Sequence, residues 1–207
     1  MTYLLIKSKS ADLKIDLGFL TASKAMPEEQ FYQFCLSNPE LRIERSALGE
    51  ITIMPPAFSD TGHRNVKISQ QVANWVDENG MGEVFDSSAG FTLPNGAMRS
   101  PDTSWMLTER WNALTDEQKA SFAPIVPDFV IELRSASDTL KSLQDKMQEY
   151  VENGVRLGLL IDRKARKSMR CLMQRQDLGQ AIGPTLWRRR QTQSFFPHMS
   201  IIWLILA

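Results

Sequence analysis

Cysteines, long apolar runs and a secretion signal are scarce or missing in this sequence. Only two cysteines, Cys35 and Cys171, occur among 207 residues, and they form no Cys-x-x-Cys pair. A zinc site and a disulfide scaffold are therefore disfavoured, and a reduced, cytoplasmic protein is predicted. No stretch approaches the ~20 apolar residues of a membrane helix, and the N-terminus lacks a signal-peptide pattern. We therefore predict no membrane partner.

An excess of positive charge is missing too, since 24 Lys and Arg residues offset 24 Asp and Glu residues. This balance argues against a protein that coats nucleic acid by bulk charge, although a local basic cleft is compatible with it. The sequence also shows no Ser-His-Asp triad, P-loop or Rossmann glycine run. What is present is an ordinary globular composition, 43% hydrophobic and 23% charged, with enough length for one sizeable core.

The apolar residues recur in patterns that predict alternating helices and strands. Residues 128–162 read strand, helix, strand, which predicts a βαβ-like unit, or its antiparallel counterpart, on a mixed sheet. Asp138 is the predicted N-cap of the helix in that unit. The other predicted elements are an N-terminal helix from about Pro27, a hairpin over 41–54, a helix from about Asn65 to Asn79, the strands EVFD, GFTL and TSWML, and a capping box at Thr115 and Gln118.

The domain organisation predicted from these patterns has three parts. Residues 1–26 form an N-terminal segment of uncertain structure, residues 27–170 a folded domain, and residues 171–207 a divergent tail. In the tail the only acid is Asp177, and Arg188, Arg189 and Arg190 form a basic cluster. The tail carries none of the functional reasoning.

Two acids on separate predicted strands are the strongest chemical signal. Glu132 lies among apolar neighbours, on the strand face shared with Val130 and Arg134, and a carboxylate there is costly unless it is paired or binds a metal. Asp102 stands in Ser-Pro-Asp, where a role in a turn or cap is the alternative. Two such carboxylates can hold Mg²⁺, which polarises a phosphate and activates a water. For Glu132 the alternative is a salt bridge to Arg134 or to a lysine on a neighbouring element.

A lysine that positions the water or stabilises the developing charge would complete such a site. In the pattern Glu-x-Lys it would stand two residues after Glu132, but Arg134 occupies that position and is too basic to accept a proton. Lys146 is the substitute, because it borders the buried face of the next helix and its stem can follow apolar surface. The alternative for Lys146 is a solvated helix lysine.

Four further residues are candidate accessory groups, each with a plainer alternative. Glu44 would add a third acid, but it could be a surface hairpin residue. His63 would meet a phosphate or a water from a loop before a helix, and Gln144 would hydrogen-bond a scissile phosphate from the helix of Lys146. Arg134 would stabilise charge near Glu132.

Four runs of the sequence resemble the Uma-type family of restriction endonucleases, in the PD-(D/E)xK nuclease superfamily. They are RIERSALGEITIMPP, GFTLPNGAMRSPDTSWM, FAPIVPDFVIELRSASDTLKSLQDKMQEY and NGVRLGLLID, within residues 27 to 168. The resemblance implies an α/β (α+β) fold with a restriction-endonuclease-like core, in which helices flank a central mixed β-sheet, preceded by an N-terminal helix and hairpin. The family's closing strands are not recognisable in RKSMRCLMQRQDLGQ.

The resemblance also implies that Asp102 and Glu132 bind the metal, that Lys146 is the migrated catalytic lysine and that Glu44 is the family's N-terminal glutamate. The leading hypothesis is an endonuclease that hydrolyses DNA phosphodiester bonds with Mg²⁺, or with Mn²⁺ in its place. A homodimer is expected by analogy, because many such nucleases pair to cut two strands. The alternative is a weak or inactive nuclease-fold protein that binds nucleic acid or a protein partner.

Overall fold

The computed structural model describes two continuous stretches, residues 26–80 and 82–162, and the backbone of four flanking strands at 3–7, 12–16, 167–172 and 185–186. The described chain forms two compact units, one from Met1–Pro56 with Thr92–Arg99 and one from Ala57–Phe91 with Ser100–Ala207. Among the described helices none is both long and apolar enough to cross a membrane.

The described residues of the first unit form one helix and two small antiparallel sheets. Its four-stranded sheet has the order β4-β3-β7-β6, in which the predicted hairpin pairs Arg45 with Ile51. The other sheet is the hairpin of β1 and β2. The elements are β1 (Tyr3–Lys7), β2 (Asp12–Asp16), α1 (Glu28–Ser37), β3 (Arg42–Arg45), β4 (Ile51–Met54), β6 (Phe91–Thr92, whose first residue belongs to the second unit) and β7 (Met98–Arg99).

The second unit is built on a mixed six-stranded sheet of order β12-β11-β10-β9-β8-β5. Only the pair of β9 and β10 is parallel, and the helix α5 joins these two strands, so the predicted βαβ unit is confirmed. The elements are α2 (Ser59–Asn79), β5 (Glu83–Asp86), β8 (Thr103–Met106), α3 (Thr108–Asn112), α4 (Asp116–Lys119), β9 (Phe129–Leu133), α5 (Leu140–Glu152), β10 (Leu157–Asp162), β11 (Lys167–Leu172) and β12 (Thr185–Leu186).

The strand β9 is buried along its whole length and carries opposite chemistry on its two faces. Its odd-numbered residues pack against α2 in an apolar cluster of the second unit. Its even-numbered residues, Val130 and Glu132, face the other way, and Glu132 meets α5 there. The alternation predicted from the sequence is confirmed. The buried members of the cluster are Ile68, Val72, Trp75, Trp105, Phe129, Ile131, Leu133, Leu159 and Ile161.

Three predicted details are wrong, and each error has a local cause. Thr139, not Asp138, caps α5, because the Thr139 side chain accepts a hydrogen bond from the Ser142 amide. The Asp138 side chain instead accepts from the Ser135 amide and closes the preceding turn. The helix α2 begins at Ser59 rather than near Asn65. A closing strand does exist in the run that seemed to lack one, since β11 pairs with β10 from Leu157↔Leu172 to Asp162↔Lys167. The domain boundaries at 26 and 170 remain predictions.

Gly82, before β5, is a glycine with a strict steric requirement. Its φ is +108°, and a Cβ there would lie 2.0 Å from Trp105 Nε1 and 2.6 Å from the Met106 carbonyl oxygen. We expect Gly82→Ala to lower the free energy of unfolding by about 3 kcal/mol or more, since strain and overpacking add. Gly62→Ala is the control, because that helical site is open and alanine should stabilise it by about 0.5–1 kcal/mol. Urea unfolding measures both, and equal stabilities would contradict the steric reading.

Candidate active site

Glu132 lies one residue from the end of β9, in the middle of the six-stranded sheet. It is only 4% exposed. The hydroxyl of Tyr150 donates to Glu132 Oε1 at 3.0 Å, and Lys146 Nζ lies 2.8 Å from the same oxygen. Both partners come from α5 at a spacing of i and i+4, so successive turns of one helix face present them. A charge-assisted pair and a hydrogen bond offset the desolvation that burial imposes on this carboxylate.

Lys146 reaches this position in the manner predicted for a helix lysine with a buried stem. Its side chain is 16% exposed, and its ammonium lies 5.8 Å from the centre of the Tyr150 ring. The solvated alternative is therefore wrong for Lys146. A salt bridge from Glu132 to a lysine on a neighbouring element was the plainer interpretation of Glu132, and that bridge is present. The ion pair alone thus fits both a structural and a catalytic role.

Asp102 stands immediately before β8, and its carboxylate bridges a helix and a strand. Its Oδ2 accepts from the Leu133 amide at 2.8 Å, and its Oδ1 accepts from Asn65 Nδ2 of α2 at 3.0 Å. Because Thr103 pairs with Ile131 in antiparallel register, Asp102 and Glu132 are the next positions along the two strands. Asp102 Oδ2 also bonds the amide of the residue that follows Glu132, so the two acids lie at the same end of the paired strands.

A sequence profile described as "Putative restriction endonuclease", that of Uma2, matches residues 28–193. The chain belongs to the Uma2 family. The resemblance seen in the sequence is thereby confirmed, and the match extends past the predicted boundary at residue 170. The predicted site residues fall within the matched region, although the match itself assigns no role to any of them.

The fold of this Uma2 chain is shared with a solved structure described as a "putative nuclease belonging to DUF820" from Anabaena variabilis ATCC 29413. The TM-score is 0.58 at 17% sequence identity, and the match covers 72% of this chain and 80% of that one. The predicted restriction-endonuclease-like fold class is confirmed. No curated protein matches the chain.

Two accessory candidates, Arg134 and Gln144, lie near Glu132 along the chain. Arg134 Nη1 lies 2.8 Å from Asp162 Oδ2, so its charge is already paired at the end of β10. Gln144 is half-buried on α5, two residues before Lys146. Positions two apart on a helix point about 200° from each other, so Gln144 and Lys146 leave different sides of α5.

The remaining two candidates, His63 and Glu44, have surroundings that differ from those predicted. His63 is exposed and lies inside α2, not in a loop before it. Glu44 belongs to the first unit, where it is 4% exposed and its Oε2 lies 3.3 Å from Arg99 Nη1. The alternative of a surface hairpin glutamate is therefore wrong for Glu44. Its proposed role as a third acid remains untested by this internal pairing.

Sequence reasoning missed two residues that hold the acids in place, Tyr150 and Asn65. Tyr150 lies on the apolar face of its helix, and its i+4 spacing from Lys146 indicates that both reach the same target. Asn65 was assigned only to a helix start. It lies three residues before Ile68 and continues the buried stripe of α2, and a polar residue in such a stripe predicts a specific hydrogen-bond partner.

Proposed function

We propose that this Uma2 protein is a Mg²⁺-dependent endonuclease that hydrolyses DNA phosphodiester bonds, with Mn²⁺ able to replace Mg²⁺. The observation that supports it most is the buried Glu132 carboxylate, next to Asp102 along paired strands and 2.8 Å from the Lys146 ammonium. Two acids and a lysine at one end of a mixed sheet provide the groups that metal-assisted hydrolysis requires. The family membership supports a nuclease of the restriction-endonuclease type.

The donor chemistry of the site suits Mg²⁺. Within the described residues no three His, Cys, Asp or Glu side chains converge as a ready-made metal cluster. A cation here would be held by Asp102 and Glu132 and would keep water in its remaining positions, which is how Mg²⁺ is usually bound in nucleases and polymerases. In the described part of the second unit, the buried Asn65 Oδ1 also has no hydrogen-bond partner beside Asp102, so the site has an unused oxygen acceptor.

Each residue has a distinct role in the proposed reaction. An ion held there would supply charge stabilisation on the phosphate and would lower the pKa of a coordinated water. Asp102, held by the Leu133 amide, and Glu132, held by Tyr150, would be the ligands of this ion. Lys146 places a positive charge beside the reacting phosphate, where it stabilises the extra negative charge of the transition state.

The direct test is incubation of purified protein with supercoiled plasmid in the presence of Mg²⁺ or Mn²⁺, with EDTA as the control. We expect nicked or linear product with either ion and none with EDTA. DNA binding without cleavage or metal binding would instead support the inactive nuclease-fold alternative. A rate that EDTA leaves unchanged would reject a metal-dependent mechanism.

A homodimer belongs to the same proposal, because cutting both strands of a duplex at one place uses two active sites. Light scattering on the protein with and without a short DNA duplex measures the assembly. A monomer in both conditions, together with linear plasmid product, would reject the homodimer while leaving the nuclease proposal intact.

A further inference from the structure

Asn65 is a helix residue whose side chain contacts the proposed metal ligand Asp102. It lies in α2, is 9% exposed, and donates from Nδ2 to Asp102 Oδ1 at 3.0 Å. An ionised carboxylate only accepts hydrogen bonds, so the amide nitrogen must be the atom that faces Asp102. This fixes the orientation of the amide group and determines where its oxygen lies.

The oxygen of that amide is the unusual atom. Within the described residues, Asn65 Oδ1 is buried and has no hydrogen-bond partner. It is bonded to the same carbon as Nδ2, so it lies beside the Asp102 carboxylate. Buried acceptors are nearly always paired, and an exception indicates stored strain, an ordered water, or a partner that arrives with a ligand.

The helix that carries Asn65 is anchored one turn later, so the position of the amide is well defined. The hydroxyls of Ser69 and Thr103 lie 2.7 Å apart and join α2 to the first residue of β8. Asn65 and Ser69 are four residues apart and face the same side of the helix. An acceptor fixed in this way is suited to orient a ligand and does not need to be ordered by it.

We propose that Asn65 is a positioning residue of the metal site, whose Nδ2 holds Asp102 and whose Oδ1 accepts a hydrogen bond from a water on the bound cation. This rests on the proposed function, since it requires a cation at Asp102. A Mg²⁺ or Mn²⁺ ion held by two carboxylates keeps several waters, and each has protons that need acceptors. Residues that orient ligands from outside the coordination shell affect metal affinity by about 10- to 100-fold.

Two substitutions separate this role from simple packing. Asn65→Leu keeps the approximate volume and removes both polar atoms, so Mn²⁺ affinity should fall about 10- to 100-fold. Asn65→Asp keeps an oxygen acceptor at the same place and adds negative charge beside the cation, so Mn²⁺ affinity should stay within about threefold of wild type or improve. If Asn65 only held Asp102 through its donor, the aspartate, which repels Asp102, would bind Mn²⁺ as poorly as the leucine.

The experiment is calorimetric titration of Mn²⁺ into wild type, Asn65→Leu, Asn65→Asp and Ser69→Ala, with circular dichroism to check each fold. Ser69→Ala loosens the same helix face without touching Asp102 and should bind Mn²⁺ as wild type does. Equal affinity in wild type and Asn65→Leu would overturn the proposal, and so would equal losses in the leucine and aspartate variants. No binding by folded wild type would overturn the metal site itself and Asn65's role with it.

If Asn65→Leu does not fold, the aspartate variant decides the question alone. In that variant saturating Mn²⁺ should raise the melting temperature about as much as it does in wild type, or more, because the added carboxylate favours the metal-bound state. Loss of this shift would overturn the role of Oδ1.

Discussion

Replacing Glu132 by glutamine is expected to abolish metal-dependent cleavage, with a fall in rate of about a thousandfold or more. The substitution preserves the size of the side chain and leaves an oxygen that can accept from Tyr150. It removes the charge with which Glu132 would hold the cation, and a catalytic metal contributes several kcal/mol of charge stabilisation, about tenfold in rate for each 1.4 kcal/mol. Single-turnover cleavage of plasmid at saturating Mn²⁺ measures the effect.

The same substitution leaves the Lys146 ammonium without its counter-ion. Breaking a buried pair by removing one partner costs about 3–5 kcal/mol, and the cost should be near the lower limit because Lys146 is at the border of the buried face and can turn towards solvent. A domain with a stability of about 5–15 kcal/mol remains folded after this loss. We therefore expect a folded Glu132→Gln variant that neither binds Mn²⁺ nor cleaves DNA.

The control is Asp128→Asn, in the residue immediately before β9. Asp128 is 3% exposed, its Oδ1 lies 2.8 Å from Arg110 Nη1, and its Oδ2 accepts from the Leu107 amide. It is therefore a buried, ion-paired acid at the opposite end of the same strand from Glu132. The control should lose stability and keep both metal binding and cleavage when assayed below its melting temperature. Loss of cleavage in both variants to the same degree would show that Glu132 acts through stability alone.

Asp102 provides an independent check on the same metal site. Its two oxygens accept from two donors, the Leu133 amide and Asn65 Nδ2. An asparagine there can satisfy only one of them, because its own amide nitrogen would face the other donor. We expect Asp102→Asn to lose cleavage as fully as Glu132→Gln does. Cleavage that persists in the folded double variant would reject both assignments.

The part of the site that could be predicted from the sequence is the part encoded by short-range patterns. Alternation along Phe129–Leu133 separates the face of Glu132 from the face of Ile131. The helical spacing of Leu143, Met147 and Tyr150 places Lys146 at the border of the buried face of α5. Both patterns depend only on the period of the element, so a few consecutive residues are enough to indicate them.

The contacts that could not be predicted depend on partners far apart in the chain or on competition between neighbours. The hydrogen bond from Asn65 to Asp102 joins residues 37 positions apart. It also depends on where α2 begins, and the predicted boundary placed the first residue of this helix six residues too late. Asp138 and Thr139 are both good N-caps, and only the Ser135 turn decides between them. The pairing of Glu44 with Arg99 crosses 55 positions within the first unit, and nothing near Glu44 in the sequence indicates it.

The last consequence of the site geometry is that Lys146→Met should have opposite effects on metal binding and on cleavage. The Lys146 ammonium lies 2.8 Å from Glu132 Oε1, an oxygen that the cation would also use. Removal of this competing charge should tighten Mn²⁺ binding by about tenfold, which corresponds to about 1.4 kcal/mol. This is a modest part of the ~4 kcal/mol by which two unit charges 4 Å apart interact at an effective dielectric constant of 20. Cleavage should fall by about 10²–10³-fold, because the developing negative charge loses a fixed positive neighbour.

Two further variants, Lys146→Arg and Lys141→Met, test whether metal binding and cleavage change in opposite directions because of the Lys146 charge. Arginine keeps the positive charge, so it should retain much of the electrostatic effect on cleavage, unless the reaction needs a lysine that can give up a proton, which arginine cannot do. Lys141 is on the same helix, with its side chain 79% exposed and paired with Asp145, so its substitution should change neither quantity. Calorimetry with Mn²⁺ and single-turnover cleavage give the two readouts. If Lys146→Met weakened metal binding and cleavage together, Lys146 would be a support for Glu132 and not a catalytic residue, because only a structural partner reduces both.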